Sequence, residues 1–218
     1  IYPKTNMHFL PNLGTRAKVT AMVVEPSIIH ARHLTWLRLT YRRFFRVMTY
    51  HRPLLDRIPN GLFLPYGTTW VPDYQGVDVT KAQHMSLIAS AKRDHIGHQL
   101  RHRLVEKVQS KGLDVTVLGR GYAPFEAKSD GLAPYRFSVI IENVREQNYF
   151  SVKLVDAVLC ETVPIYWGCP NIGDFIDTGG MIICETEEDV LRAIASASEA
   201  QYDALIPALR AAKPQVAA

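Results

Sequence analysis

The chain has 218 residues, of which 47% are hydrophobic, and a formal net charge of +4. This length allows a substantial buried core but is short for two complete domains. We find no apolar run long enough to span a membrane and no signal-peptide pattern, so we expect a cytoplasmic protein; the missing initial Met is compatible with a trimmed N-terminus.

Charge is distributed unevenly along the chain. Residues 1–111 hold 17 Lys/Arg and 6 Asp/Glu, whereas residues 112–218 hold 8 and 15. The basic half indicates an anionic partner, such as nucleotide phosphates, nucleic acid or a membrane surface. The three cysteines, Cys160, Cys169 and Cys184, have no Cys-x-x-Cys spacing, which predicts free buried thiols rather than disulfides or a zinc site.

Residues 1–75 are predicted to form a reduced N-terminal α/β portion. A β-rich run at 18–24 ends at Glu25, because Pro26 prevents simple continuation of the strand. Residues 31–45 have helical character, and residues 45–50 resemble a second short strand. The prolines and glycine between residues 53 and 72 then predict an irregular linker or domain crossover.

From residue 81 onward, predicted strands alternate with predicted helices. The strands are expected at 85–89, 114–118, 137–141, 163–166 and 181–184, and the helices at 97–110, 150–160 and 187–196. This alternation predicts an α/β fold with a Rossmann-type parallel sheet and helices on both faces. We place this domain at residues 76–205 and a C-terminal tail at 206–218.

Polar residues follow the predicted strands where they end. In open α/β sheets the ligand lies beyond the carboxyl ends of the strands, which here are expected at Ser90, Gly119, Glu142 and Trp167. Ser151 and Lys153 open the next helix, whose N-terminus offers unpaired N–H groups to an anion. The pattern therefore predicts a phosphate-containing ligand.

The segments YRFSVIIEN, YFSVK and TVPIYWGCPN follow one another between Tyr135 and Asn171. In their order and spacing they resemble the α-1,3-fucosyltransferase family. One position departs from the family pattern, because Val152 stands where the family has a glutamate that binds the donor ribose. Glu142, Glu146 and Asp156 are the carboxylates that remain as substitutes.

The resemblance implies a GT-B-like fold in which residues 76–205 bind a nucleotide sugar and the N-terminal portion faces the acceptor. It implies inverting transfer of fucose from GDP-fucose to a carbohydrate hydroxyl, with no cofactor and no catalytic metal. The implied catalytic residues are Glu25, as general base, and Glu142. The implied donor-binding residues are Arg101 and Lys153 on the diphosphate, with Ser90, Asn143, Tyr149 and Ser151 around them.

Two other functions remain open from the sequence. The first is a non-catalytic protein that binds a nucleotide sugar or glycan, which Val152 and the short N-terminal half favour. The second is a nucleic-acid binder that uses the arginines between residues 32 and 46, although no nucleic-acid-binding motif supports it, and we expect no nucleic-acid partner.

The histidines at 95, 98 and 102 do not have metal-site spacing. A homo-oligomer that completes the N-terminal half is also open.

Overall fold

The computed structural model describes residues 1–11, 16–65 and 67–217. Contacts divide the chain into two units, Ile1–Tyr66 and Gly67–Ala218. The sequence predicts a boundary near residue 75, because the proline-rich stretch before it carries no sharper signal. Among the described residues, no helix is long and apolar enough to cross a membrane.

The first unit is a three-stranded parallel sheet in the order β1-β2-β3. Its elements are α1 (Thr5–Phe9), β1 (Thr20–Val23), α2 (Ser27–Thr40), β2 (Arg46–Thr49), α3 (Arg52–Leu55) and β3 (Gly61–Phe63). The predicted strands and long helix are present, whereas α3 and β3 lie inside the stretch that was predicted to be irregular. Alternate residues of β1 and β2 face a small core to which α2 contributes Leu34 and Leu37.

The second unit is a five-stranded parallel sheet in the order β5-β4-β6-β7-β8. Its strands are β4 (Gln83–Ile88), β5 (Thr116–Leu118), β6 (Tyr135–Ile141), β7 (Val163–Trp167) and β8 (Ile182–Ile183). Its helices are α4 (Ile96–Ser110), α5 (Val152–Leu159), α6 (Glu187–Ser196) and α7 (Glu199–Val216). Helix α4 packs against α6 and α5 against α7, and all four contact the sheet, so helices cover both faces. The predicted α/β fold class is confirmed.

The order of the strands positions the site. From β4 the chain passes through α4 to β5 on one side, and from β6 it passes through α5 to β7 on the other. The topological switch point therefore lies between β4 and β6, where α/β proteins of this type bind ligands. The N-termini of α4 and α5 follow the carboxyl ends of these two strands.

The segment predicted as a C-terminal tail, residues 206–218, instead belongs largely to helix α7, which continues to Val216. Ser198 caps the helix, and Tyr202, Ile206, Leu209 and Ala212 are buried at helical spacing. Burial of this apolar face outweighs the two prolines inside the helix, Pro207 and Pro214, which interrupt its sequence signal. The three cysteines are free and buried, as predicted.

Helix α4 approaches the end of β6 so closely that its second residue must be glycine. The Gly97 N–H donates a hydrogen bond to the Asn143 carbonyl at 3.0 Å. A Cβ atom on Gly97 would lie 1.7 Å from the Glu142 carbonyl oxygen. This contact fixes the first turn of α4 against the residues that follow β6.

We expect Gly97→Ala to destabilise the protein by about 1–3 kcal/mol, because the added methyl group overlaps backbone atoms that have no room to move. Alanine is otherwise the better helix former, so only the clash can produce a loss. Gly76→Ala is the matched control, since a Cβ atom there meets nothing within 4 Å. Urea unfolding followed by circular dichroism measures both variants, and equal midpoints would contradict the close packing.

Candidate functional site

Glu142 is the residue around which the candidate site is organised. It directly follows β6, and it is completely buried. Its Oε1 accepts a hydrogen bond from the Ser151 N–H at 2.8 Å, and its Oε2 accepts one from the Ser151 hydroxyl at 2.7 Å. The Lys153 ammonium lies 3.0 Å from the same Oε2. The buried carboxylate therefore joins the end of β6 to the start of α5.

Lys153 lies in the first turn of α5, and its side chain is 26% exposed. Ser151 is the N-cap of this helix and accepts a hydrogen bond from the Lys153 N–H. The Lys153 ammonium donates to Glu142 Oε2 and to Ser151 Oγ, at 3.0 and 3.1 Å. Because an ammonium has three protons, one remains for a ligand. The positive charge is thus held in a fixed place beside a helix N-terminus.

Arg101, on α4, is the second cation of the site, and it is only 5% exposed. Its Nη2 donates to Asn143 Oδ1 at 2.9 Å, whereas its buried Nε has no hydrogen-bond partner in the described part of the chain. Burial lowers the pKa of Arg101, and the negative charge of Glu142 acts in the opposite sense. A buried guanidinium with an unused donor is the kind of group that a bound anion satisfies.

His98 is a neighbour of both cations that the sequence did not single out for this site. It is 5% exposed, and its Nδ1 has no partner among the described residues. Burial lowers the pKa of His98 to about 4, and the positive charges of Arg101 and Lys153 act in the same sense. The imidazole is therefore neutral at physiological pH. Its position one helical turn before Arg101 was the available signal.

The remaining predicted residues have different surroundings. Tyr149 is buried, at 4% exposure, and Ser90 is half-buried two residues beyond β4. Glu25 belongs to the first unit, where it is exposed two residues beyond β1. The Tyr50 hydroxyl donates a hydrogen bond to the backbone carbonyl oxygen of Glu25 at 3.2 Å. The structure thus joins Glu142 to Ser151 and Lys153, and Arg101 to Asn143, by direct hydrogen bonds.

The carboxylates that were considered as substitutes at Val152 also differ in exposure. Glu142 and Asp156 are completely buried, and Asp156 accepts hydrogen bonds from the Thr69 hydroxyl and the Trp70 N–H. Glu146 is half-buried on the loop between β6 and α5. Glu146 is therefore the one of the three with surface available to a ligand. Within the described ranges, no group of three or more His, Cys, Asp or Glu residues is placed to hold a metal ion.

Comparisons with known proteins point to one class of fold. No family model matches the sequence. A solved α1,3-fucosyltransferase with GDP aligns over 89% of this chain and 67% of its own, with 16% identity and a TM-score of 0.60. An α-glucosyltransferase in complex with UDP-glucose and DNA containing an abasic site aligns over 94% and 70%, with 13% identity and a TM-score of 0.57. The chain therefore has the GT-B-like fold of glycosyltransferases, as predicted.

One sequence match is more specific. A segment of 45 residues is 38% identical to the α-(1,3)-fucosyltransferase of Helicobacter pylori. The match spans 21% of this chain and 9% of that enzyme. A solved α1,3-fucosyltransferase with GDP-fucose also shares the fold, with 14% identity and a TM-score of 0.58. These similarities support the resemblance to fucosyltransferases on which the expected site residues rest.

We expect Glu142→Gln to lower the free energy of unfolding by about 1–3 kcal/mol, because the Lys153 ammonium loses its buried anionic partner. Glutamine keeps the size of the side chain but removes the charge and turns one of the two accepting oxygens into an N–H donor. Glu185→Gln is the control, since Glu185 is 73% exposed in its ion pair with Arg145, and such surface pairs contribute about 1 kcal/mol or less. Similar small losses for both variants in urea unfolding would show that the buried pair does not hold the site.

Proposed function

We propose that this protein is a glycosyltransferase that takes a sugar from a nucleoside diphosphate donor. The observation that carries the proposal is the pair of cations at the switch point of the five-stranded sheet. Among the described residues, Lys153 at the N-terminus of α5 uses two of its three ammonium protons, and Arg101 Nε has no hydrogen-bond partner. Together they provide positive charge where a diphosphate would leave.

Charge stabilisation at this place supplies what sugar transfer requires. The bond between the sugar and the diphosphate breaks as negative charge develops on the leaving phosphate oxygens. Fixed cations that need no reorganisation stabilise that charge more effectively than mobile water. Glu142 contributes by holding Lys153 and Ser151 in place, since its buried carboxylate accepts hydrogen bonds from both. In this proposal the leaving group is stabilised without a metal or other cofactor.

The donor we propose is GDP-fucose, and the product is a fucosylated glycan formed with inversion. This choice is supported by the sequence match to the Helicobacter pylori enzyme and by the fold shared with fucosyltransferases bound to GDP and GDP-fucose. Inverting transfer needs a base that takes the proton of the acceptor hydroxyl. Glu25 is proposed for this role, because it is an exposed carboxylate at the carboxyl edge of its sheet.

Val152 supports a second candidate, a protein that binds a nucleotide sugar without transferring it. Valine cannot accept the ribose hydrogen bonds that the family glutamate is expected to make. Loss of one such charge-assisted bond costs about 1.5–3 kcal/mol, or roughly tenfold to a hundredfold in affinity. Glu146, half-buried on the loop between β6 and α5, is the proposed replacement for that glutamate. If it binds the ribose, the donor site is intact; if it does not, donor affinity is reduced.

The first test is calorimetric titration of GDP and GDP-fucose into the wild-type chain and two lysine variants. We expect binding in the micromolar range that weakens roughly tenfold to a hundredfold in Lys153→Ala, because a charge-assisted contact to phosphate is lost. Lys111→Ala is the control, since Lys111 is an exposed residue at the far end of α4. It removes the same charge without changing the site.

Three outcomes separate the candidates. Binding that depends on Lys153, followed by release of GDP from GDP-fucose with a glycan acceptor, supports the transferase. The same binding without GDP release, with any acceptor tried, favours the non-catalytic protein. Absence of binding to both ligands, or an equal loss in both lysine variants, contradicts the donor site.

A further inference from the structure

The first unit has a large positive charge that its own side chains do not neutralise. Residues 1–66 contain ten Lys/Arg and two Asp/Glu, a net charge of +8. All the ion pairs found among the described residues join side chains of the second unit. A surface of unpaired cations attracts anionic molecules.

Arg52 is the cation of this unit that lies where a substrate is expected. The three strands end in register, with Val23 opposite Thr49 and Thr49 opposite Phe63. Arg52 follows this edge as the first residue of α3, and it is exposed. Parallel α/β sheets bind ligands beyond this carboxyl edge, so Arg52 stands on the functional side of its sheet.

The guanidinium of Arg52 is held in a defined position. Its Cζ atom lies over the Phe63 ring, 3.9 Å from the ring centre, which is a cation–π contact. The ring covers one side of the guanidinium, whose five N–H donors exceed what one such contact can engage. Arg52 has no ion pair and no side-chain hydrogen bond among the described residues. A fork of donors fixed in this way fits a carboxylate, sulfate or phosphate group.

The proposed base stands at the same edge. Glu25 follows β1, whose last residue is in register with the last residue of β2. The Tyr50 hydroxyl bonds to the Glu25 carbonyl, which fixes the loop after β1 beside the end of β2. Only Glu25 and Asp56 carry negative charge in residues 1–66, so an anionic ligand meets little repulsion there.

We propose that the acceptor is an acidic carbohydrate and that Arg52 binds its anionic group. This inference rests on the proposed glycosyltransferase function and names the class of acceptor. A neutral acceptor would leave the Arg52 guanidinium to water at the sheet edge that also carries the proposed base, whereas a uronate or a sulfated sugar would accept hydrogen bonds from its fork. The acidic group would then orient the sugar so that a hydroxyl faces Glu25.

The test compares binding of three oligosaccharides to the full chain at physiological ionic strength. The probes are trigalacturonic acid, which carries carboxylates, a heparin tetrasaccharide, which carries sulfates as well, and neutral maltotriose. We expect at least one acidic probe to bind about tenfold or more tightly than maltotriose. The acidic probe that binds with the higher affinity shows whether carboxylate or sulfate is the recognised group.

Three variants assign the effect to Arg52. Arg52→Ala is expected to lose roughly tenfold or more in affinity for the acidic probe, because one charge-assisted contact is removed. Arg52→Lys is expected to recover part of it, since lysine keeps the charge but not the fork. Arg57→Ala is the matched control, because Arg57 is exposed in the same unit and lies past the end of α3.

Equal affinity for acidic and neutral probes, or no binding of either acidic probe, would overturn the proposal. So would an equal loss in Arg52→Ala and Arg57→Ala, which would indicate attraction by overall charge, as for a nucleic-acid binder. Titration of GDP into the same samples separates this failure from that of the proposed function. If GDP binds and the acidic probes do not, only the acceptor assignment fails, whereas absence of GDP binding removes the transferase proposal itself.

Discussion

A single buried carboxylate holds the candidate site together. Glu142 has no exposed surface, and it is neutralised by Lys153 and hydrogen-bonded by the N-cap residue of α5. A buried charge is stable only when it is paired and fully hydrogen-bonded. The start of α5, the end of β6 and the lysine at the helix N-terminus are therefore fixed as one group. Gly97 brings the first turn of α4 against the same residues, and α4 carries Arg101.

The two units differ in how their charged side chains are paired. In the second unit, ion pairs join helices to one another and to loops, as when Arg103 and Lys107 on α4 meet Glu187 at the start of α6. Several of its positive charges are thereby paired, and Arg101 differs because its buried Nε has no hydrogen-bond partner in the described part of the chain. In the first unit the cations lack such partners among the described residues. In the proposed function, this difference corresponds to a proposed donor site built from a few fixed charges and a proposed acceptor surface with a wider positive potential.

Much of this arrangement was predictable from sequence, and the exceptions have physical causes. The predicted bounds of β6, β7 and α5 lie within two residues of the observed ones. The two strands were recognisable because buried parallel strands appear in the sequence as apolar runs. Strand β3 was missed, since three residues between prolines carry no periodic signal. Glu142 and Lys153 were identified singly, but their pairing depends on how the loop between them folds. The contact of Arg101 with Asn143, across 42 positions, likewise depends on tertiary packing.

The most direct test of the central claim is a crystal structure of the protein with GDP bound. We expect the diphosphate at the carboxyl ends of β4 and β6, with phosphate oxygens within hydrogen-bonding distance of both Lys153 Nζ and the Arg101 guanidinium. We also expect Glu142 to keep its hydrogen bonds to Ser151 and Lys153 when the nucleotide binds. A nucleotide found elsewhere on the chain, or one that touches neither cation, would contradict the assignment of this site.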